Sequence, residues 1–85
     1  MKGITKSGFR YRLDKEKLND WEILEMFADL DNNDVTKMVP LAKKLLGMNQ
    51  YNALKKHCRN DKGIVQADKM NKEIIEIFDT KPVKN

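Results

Sequence analysis

A single cysteine, Cys58, and a single histidine, His57, stand in a chain of 85 residues. One cysteine excludes an internal disulfide and any zinc site built on several thiolates. The lone histidine is its sequence neighbour, and adjacent helical side chains diverge, so the two do not form a nucleophile–base pair. The chain also lacks a glycine-rich phosphate loop and a Ser/His/Asp set. No apolar run approaches the roughly 20 residues that span a bilayer, and residues 1–6 have no apolar core of a signal peptide. The expectation from these absences is a cytoplasmic protein with no catalytic site, no cofactor and no membrane partner.

Charge is what the chain has in quantity, and it comes in blocks. Charged residues make up 35% of the sequence against 40% hydrophobic, with a net charge of +4. Residues 1–18 hold six basic and two acidic side chains, whereas residues 19–34 hold six acidic and no basic ones. Residues 35–62 hold seven basic side chains against Asp61 alone, and the remainder is balanced at four and four. Such blocks suggest self-complementary contacts, within one molecule or between copies, and not the one unbroken positive face that nucleic acid asks for.

The periodicity predicts a mainly α domain over residues 1–85, a small bundle of about four helices with a short N-terminal strand. Residues 9–13 alternate, with Phe9, Tyr11 and Leu13 on one side and Arg10 and Arg12 on the other. The partner of that strand is open: Ile4 and Thr5, Ile64 and Val65, or another chain. Residues 1–7 and 80–85 are expected to be loose. Asn19 or Asp20 caps a first helix running to about Asp31. Its apolar residues cover roughly 200° of arc, leaving a narrow stripe to Glu22, Glu25 and Asp29. So wide a face marks this helix as the expected centre of the fold, with Trp21 and Phe27 in the core; the alternative is that part of it meets a partner. Val35, Met38, Val39, Ala42, Leu45 and Leu46 define a second helix, which Pro40 kinks or splits and Gly47 ends. Asn49 starts a third, with Tyr51, Leu54 and Cys58 as its apolar stripe. After a turn at residues 60–63, a last helix covers about residues 66–79. Ala67, Met70, Ile74, Ile77 and Phe78 form its apolar face, and Lys69, Lys72, Glu73 and Glu76 face outward.

Two motifs invite function; one fails and the other fits only in part. Asp29, Asp31 and Asn33 have the spacing of a calcium loop, but Asp34 and Pro40 occupy the positions where that loop needs glycine and glutamate, so no metal is expected. Residues 41–56 read like a helix-turn-helix around Gly47, with Lys55, Lys56 and Arg59 available to phosphates. The small residue normally found four positions before the turn glycine is displaced, since Lys43 stands there and Ala42 lies one position early. A small DNA-binding regulator is therefore the second reading.

Taken in order, Gly8-Phe9-x-Tyr11-x-Leu13, Asp20-Trp21-Glu22 with Leu24, Leu45-Leu46-Gly47, Gln50-Tyr51 with Leu54, and Gly63, Met70 and Glu76-Ile77-Phe78 resemble the small tail assembly chaperones of long-tailed, siphovirus-type bacteriophages. The resemblance implies a non-enzymatic helper, made in the host cell cytoplasm during infection. Such a helper binds the tape-measure protein, the tail-tube protein or both, and is generally absent from the finished particle. The family has no motif from which individual binding residues can be carried over. The charge blocks supply candidates instead: Glu22, Glu25 and Asp29 as an acidic patch, meeting a basic surface with Lys55, Lys56 and Arg59 on another copy or on a partner protein.

Overall fold

The computed structural model describes residues 1–79. It begins with a hairpin of β1 (Lys2–Ile4) and β2 (Arg10–Arg12), paired antiparallel with Gly3 opposite Tyr11. Of the three partners open to the alternating strand, the one nearest in sequence is used. Thr5 N–H donates to Phe9 O at 2.9 Å, and Gly8 turns the chain at φ +98°. Residues 1–7 are thus not loose: the Met1 ammonium donates to Leu13 O at 2.9 Å, and Leu13 N–H returns a bond to Met1 O at 2.7 Å. Gly3 is required here, because a Cβ at that position would overlap the Tyr11 ring.

A 3-10 turn (Lys15–Asn19) leads into α1 (Trp21–Asp31). Asp20 caps α1, its Oδ1 accepting from Glu22 N–H at 2.8 Å, as the acid-rich start of the segment predicts. Asn33, in the left-handed region at φ +69°, ends the turn after α1. The Asp34 carboxylate then accepts from Thr36 N–H and from the Thr36 hydroxyl at the start of a second 3-10 turn, Val35–Lys37. The pair of turns formed by residues 32–37 reverses the chain into α2 (Met38–His57). Pro40 lies in the first turn of α2, where its missing N–H has no partner to lose, so it splits a short turn from a main helix and does not kink one. The last element is α3 (Ala67–Asp79). It is reached through a turn in which Asn60 Oδ1 accepts from Lys62 and Ile64 N–H, and through a single bridge between Arg59 and Val65.

Among the described residues there are three α-helices, because the expected second and third are halves of α2. They join at Gly47, whose φ of +78° and ψ of 162° are not those of a left-handed cap but of an extended conformation open to glycine alone. Such a break frees carbonyls in the preceding turn. Lys44 O accepts from Lys17 Nζ at 2.7 Å, and Leu46 O from Gln50 Nε2 at 2.9 Å. The same Gln50 amide pairs with β2, accepting from Arg12 N–H at 2.6 Å and donating to Arg12 O at 2.7 Å. One side chain therefore heals the helix break and fixes the hairpin edge to it. No helix among the described residues is long and apolar enough to cross a membrane.

The centre of the fold is α2, not α1. Leu41, Ala42, Leu45, Leu46, Tyr51 and Leu54 are buried on α2, against Ile23 alone on α1. Phe9, Tyr11 and Leu13 close the core from the hairpin side, and Ile74, Ile77 and Phe78 from α3. Trp21 is not a core residue: it is 72% exposed. Helical side chains lean toward the N-terminus, so a residue in the first position projects past the helix end, away from the neighbours that cover Ile23. Phe27 is half-buried and stacks on Phe78 with ring centroids 4.1 Å apart. Glu73 does not face outward with Lys69 and Lys72; it is buried, at 6% exposure.

Candidate protein-binding surfaces

Glu22, Glu25 and Asp29 follow one another along α1 and share a shallow depression with Met26, Ala28 and Lys37. Beside them on the helix run Trp21, Leu24 and Ala28, all exposed, with Leu24 at 39%. The periodicity explains this stripe. Ile23, Phe27 and Leu30 fall within one narrow arc and turn to the core, which leaves Trp21, Leu24 and Ala28 on the opposite face. The only ion pairs among the described residues are those of Lys44, at 3.4 Å from Glu22 and 3.7 Å from Asp20. Glu25, Asp29 and Asp31 thus project a negative field with no cation paired to them.

The basic candidates are less uniform. Lys56 is exposed, whereas the Arg59 guanidinium donates to Gly63 O at 2.8 Å and so braces the loop before α3. Lys55 Nζ lies 5.2 Å from the centroid of the Tyr51 ring, and Lys43 Nζ lies 5.8 Å from it. Both distances are within cation–π range. Lys43, which no charge pattern singled out, therefore joins Lys55 on one aromatic platform. The acidic set and the basic set Lys55, Lys56 and Arg59 form no ion pair with each other inside the chain.

Between α2 and α3 lies an apolar groove that periodicity did not reveal. Ala42, Tyr51 and Ile74 form its floor, Met38, Val65 and Met70 its walls, and Lys55 stands at its edge. Val39, at its rim, is 50% exposed. The groove holds about 210 Å³. That is below the roughly 300–1,000 Å³ of small-molecule and cofactor sites, and suits one or two side chains. Its signal in the sequence was the small residue Ala42 among larger apolar ones.

The turn of the hairpin reaches α2 and α3 through a polar cluster. Ser7 Oγ donates to Glu73 Oε2 at 2.7 Å and lies 2.9 Å from His57 Nε2. Lys6 N–H donates to Glu76 Oε2 at 2.8 Å, and the Phe9 ring sits 5.5 Å from the imidazole. A serine, a histidine and a carboxylate do meet here, brought together from residues far apart in the chain. Their order is not that of a nucleophilic triad, in which the imidazole stands between hydroxyl and carboxylate. Here the hydroxyl stands in the middle and gives its one proton to Glu73, so the bond to His57 requires the imidazole to donate. Cys58, buried next to this cluster, has its thiol pKa raised, first by burial and then by the Glu73 charge, which opposes the nucleophilic thiolate. The cluster anchors the turn.

Against protein-family models, curated proteins and solved structures, the chain has no match.

Proposed function

We propose that this chain is a non-enzymatic assembly chaperone of the kind made by long-tailed bacteriophages, acting in the host cell cytoplasm by binding tape-measure or tail-tube protein. The observation that carries the reading is the exposure of Trp21 on a helix whose other face is anchored in the core. Tryptophan is among the residues most enriched at the energetic centres of protein interfaces, and an apolar stripe with a charged border has the form of such a centre and its rim. The acidic border of Glu22, Glu25 and Asp29 steers a basic partner and orients it, while the holding energy comes from Trp21 and Leu24.

The test is co-expression with the tail-tube and tape-measure proteins of the same genome. Each of those proteins, insoluble or aggregating alone, is expected to stay soluble and to co-purify with this chain, and Trp21→Ala with Leu24→Ser is expected to abolish both effects. Unchanged solubility and no complex with either protein would overturn the reading. Binding to duplex DNA that weakens steeply with salt would point instead to the small DNA-binding regulator, through Lys55, Lys56 and Arg59.

A further inference from the structure

We propose that copies of this chain associate with one another by seating the Trp21 face of α1 from one copy in the α2/α3 groove of the next. This rests on the Trp21 face being a docking surface, and not on the identity of any tail protein. Shape, size and charge all match. The stripe of Trp21 and Leu24 projects from a helix, and the groove is concave, with a floor made low by Ala42. A groove of about 210 Å³ takes one or two apolar side chains, which is what a two-turn stripe delivers.

Charge decides the occupant. The stripe is bordered by Glu22, Glu25, Asp29 and Asp31, of which only Glu22 has an ion-pair partner among the described residues. The groove has no acidic residue in its lining, and Lys43 and Lys55 stand over the Tyr51 ring that forms part of its floor. A second groove on the first groove would bring lysines together, and a second stripe on the first stripe would bring carboxylates together. Stripe on groove is the pairing in which both sets of charges are answered. It also covers Trp21 and Val39, which are 72% and 50% exposed. Because the two surfaces differ, each copy has one of each. The contact is used twice in a two-fold dimer, or repeats in a ring or a filament. A partner protein bound on the Trp21 face competes with the neighbouring copy for the same stripe.

The experiment uses the full chain and two variants, each changed at one exposed position. Sedimentation of the wild type over a range of concentrations is expected to show association that weakens at high salt. The emission of Trp21, the only tryptophan, is expected to move to shorter wavelength as the copies assemble. Trp21→Ser removes the stripe and leaves the groove intact; Asn71→Glu puts a carboxylate at the groove and leaves the stripe intact. Each alone is expected to weaken self-association by about thirtyfold or more, the usual effect of losing an interface centre. Mixed in equal amounts, they are expected to form a one-to-one heterodimer and nothing larger, since one good stripe and one good groove remain between them. Circular dichroism confirms that both variants fold, and Leu24→Ser and Val39→Glu replace either one that does not. A wild type that stays monomeric at every concentration overturns the proposal. So does a mixture that remains monomeric while the wild type associates, because that places the contact on other surfaces.

Discussion

Replacing Gln50 with alanine tests whether one side chain couples the helix break to the hairpin. The amide makes three hydrogen bonds, accepting from Arg12 N–H at 2.6 Å and donating to Arg12 O at 2.7 Å and to Leu46 O at 2.9 Å. Arg12 is exposed, so water replaces much of what its backbone loses, and those two bonds contribute at the low end, about 0.5 kcal/mol each. Leu46 is buried at 5% exposure, and its carbonyl accepts the Gln50 side-chain amide across the break at Gly47. Leaving that acceptor poorly satisfied costs about 1 kcal/mol or somewhat more. The total is about 2 kcal/mol, which in a domain of this size lowers the unfolding midpoint by roughly 8–16 °C. Gln50→Glu keeps the acceptor for Arg12 N–H but has no proton to give either carbonyl, so it is expected to fall between wild type and the alanine variant or close to the latter. The assay is thermal unfolding by circular dichroism together with amide exchange, in which the Arg12 N–H is expected to exchange faster in Gln50→Ala while amides of the α3 core keep their order of protection. A midpoint within about 2 °C of wild type, with the Arg12 amide unchanged, would refute the coupling, because a shift that small corresponds to less than the weakest of the three bonds.

Three further outcomes follow from burial. Trp21→Ala is expected to shift stability by no more than about 0.5 kcal/mol, as at other exposed positions, whereas Phe78→Ala, which empties a buried site stacked on Phe27, costs about 3–5 kcal/mol; paired denaturant titrations check both. Gly3→Ala forces the Tyr11 ring off the strand and is expected to cost about 1–3 kcal/mol, read in the same titrations. Cys58 is expected to resist thiol reagents in the native protein and to react on denaturation. Since its folded pKa lies above the ordinary 9.0, stability is expected to hold below that value and to fall as pH rises beyond it, while Cys58→Ala removes that alkaline loss.

The parts of the fold legible in the sequence are those governed by local chemistry. Asp20 before an apolar-periodic run marks the start of α1, and the end of that run marks its close at Asp31. The alternation of residues 9–13 fixed β2 and the facing of its side chains. Gly47 was read as an interruption, and it is one, but the conformation it adopts depends on Gln50 and Lys17, which accept the task of satisfying the freed carbonyls. That dependence lies outside a window centred on the glycine, and so the two halves of α2 read as separate helices.

What sequence periodicity cannot assign is which part of an apolar arc finds a neighbour. The arc of α1 is wide enough for two faces, and the choice between them is made by α2, whose Leu41, Leu45 and Leu54 are wholly enclosed. Once α2 takes the centre, Ile23, Phe27 and Leu30 are the only side of α1 that can be covered, and Trp21 with Leu24 is left outside. The acidic stripe Glu22, Glu25 and Asp29 was legible because charge needs no neighbour to be recognised; the apolar stripe beside it, and the α2/α3 groove, were not, because each is defined by what tertiary packing leaves uncovered. The same reasoning places Glu73. Its helical position matches the outward lysines closely enough to read as solvated, and only the return of the hairpin turn, with the Ser7 hydroxyl donated to it, makes a buried carboxylate tenable there. The hairpin, fixed at Gln50 on one side and at Glu73 and Glu76 on the other, thereby uses its polar groups inside the molecule. With those groups engaged, the Trp21 face of α1 and the groove between α2 and α3 are among the apolar surfaces that the fold leaves uncovered.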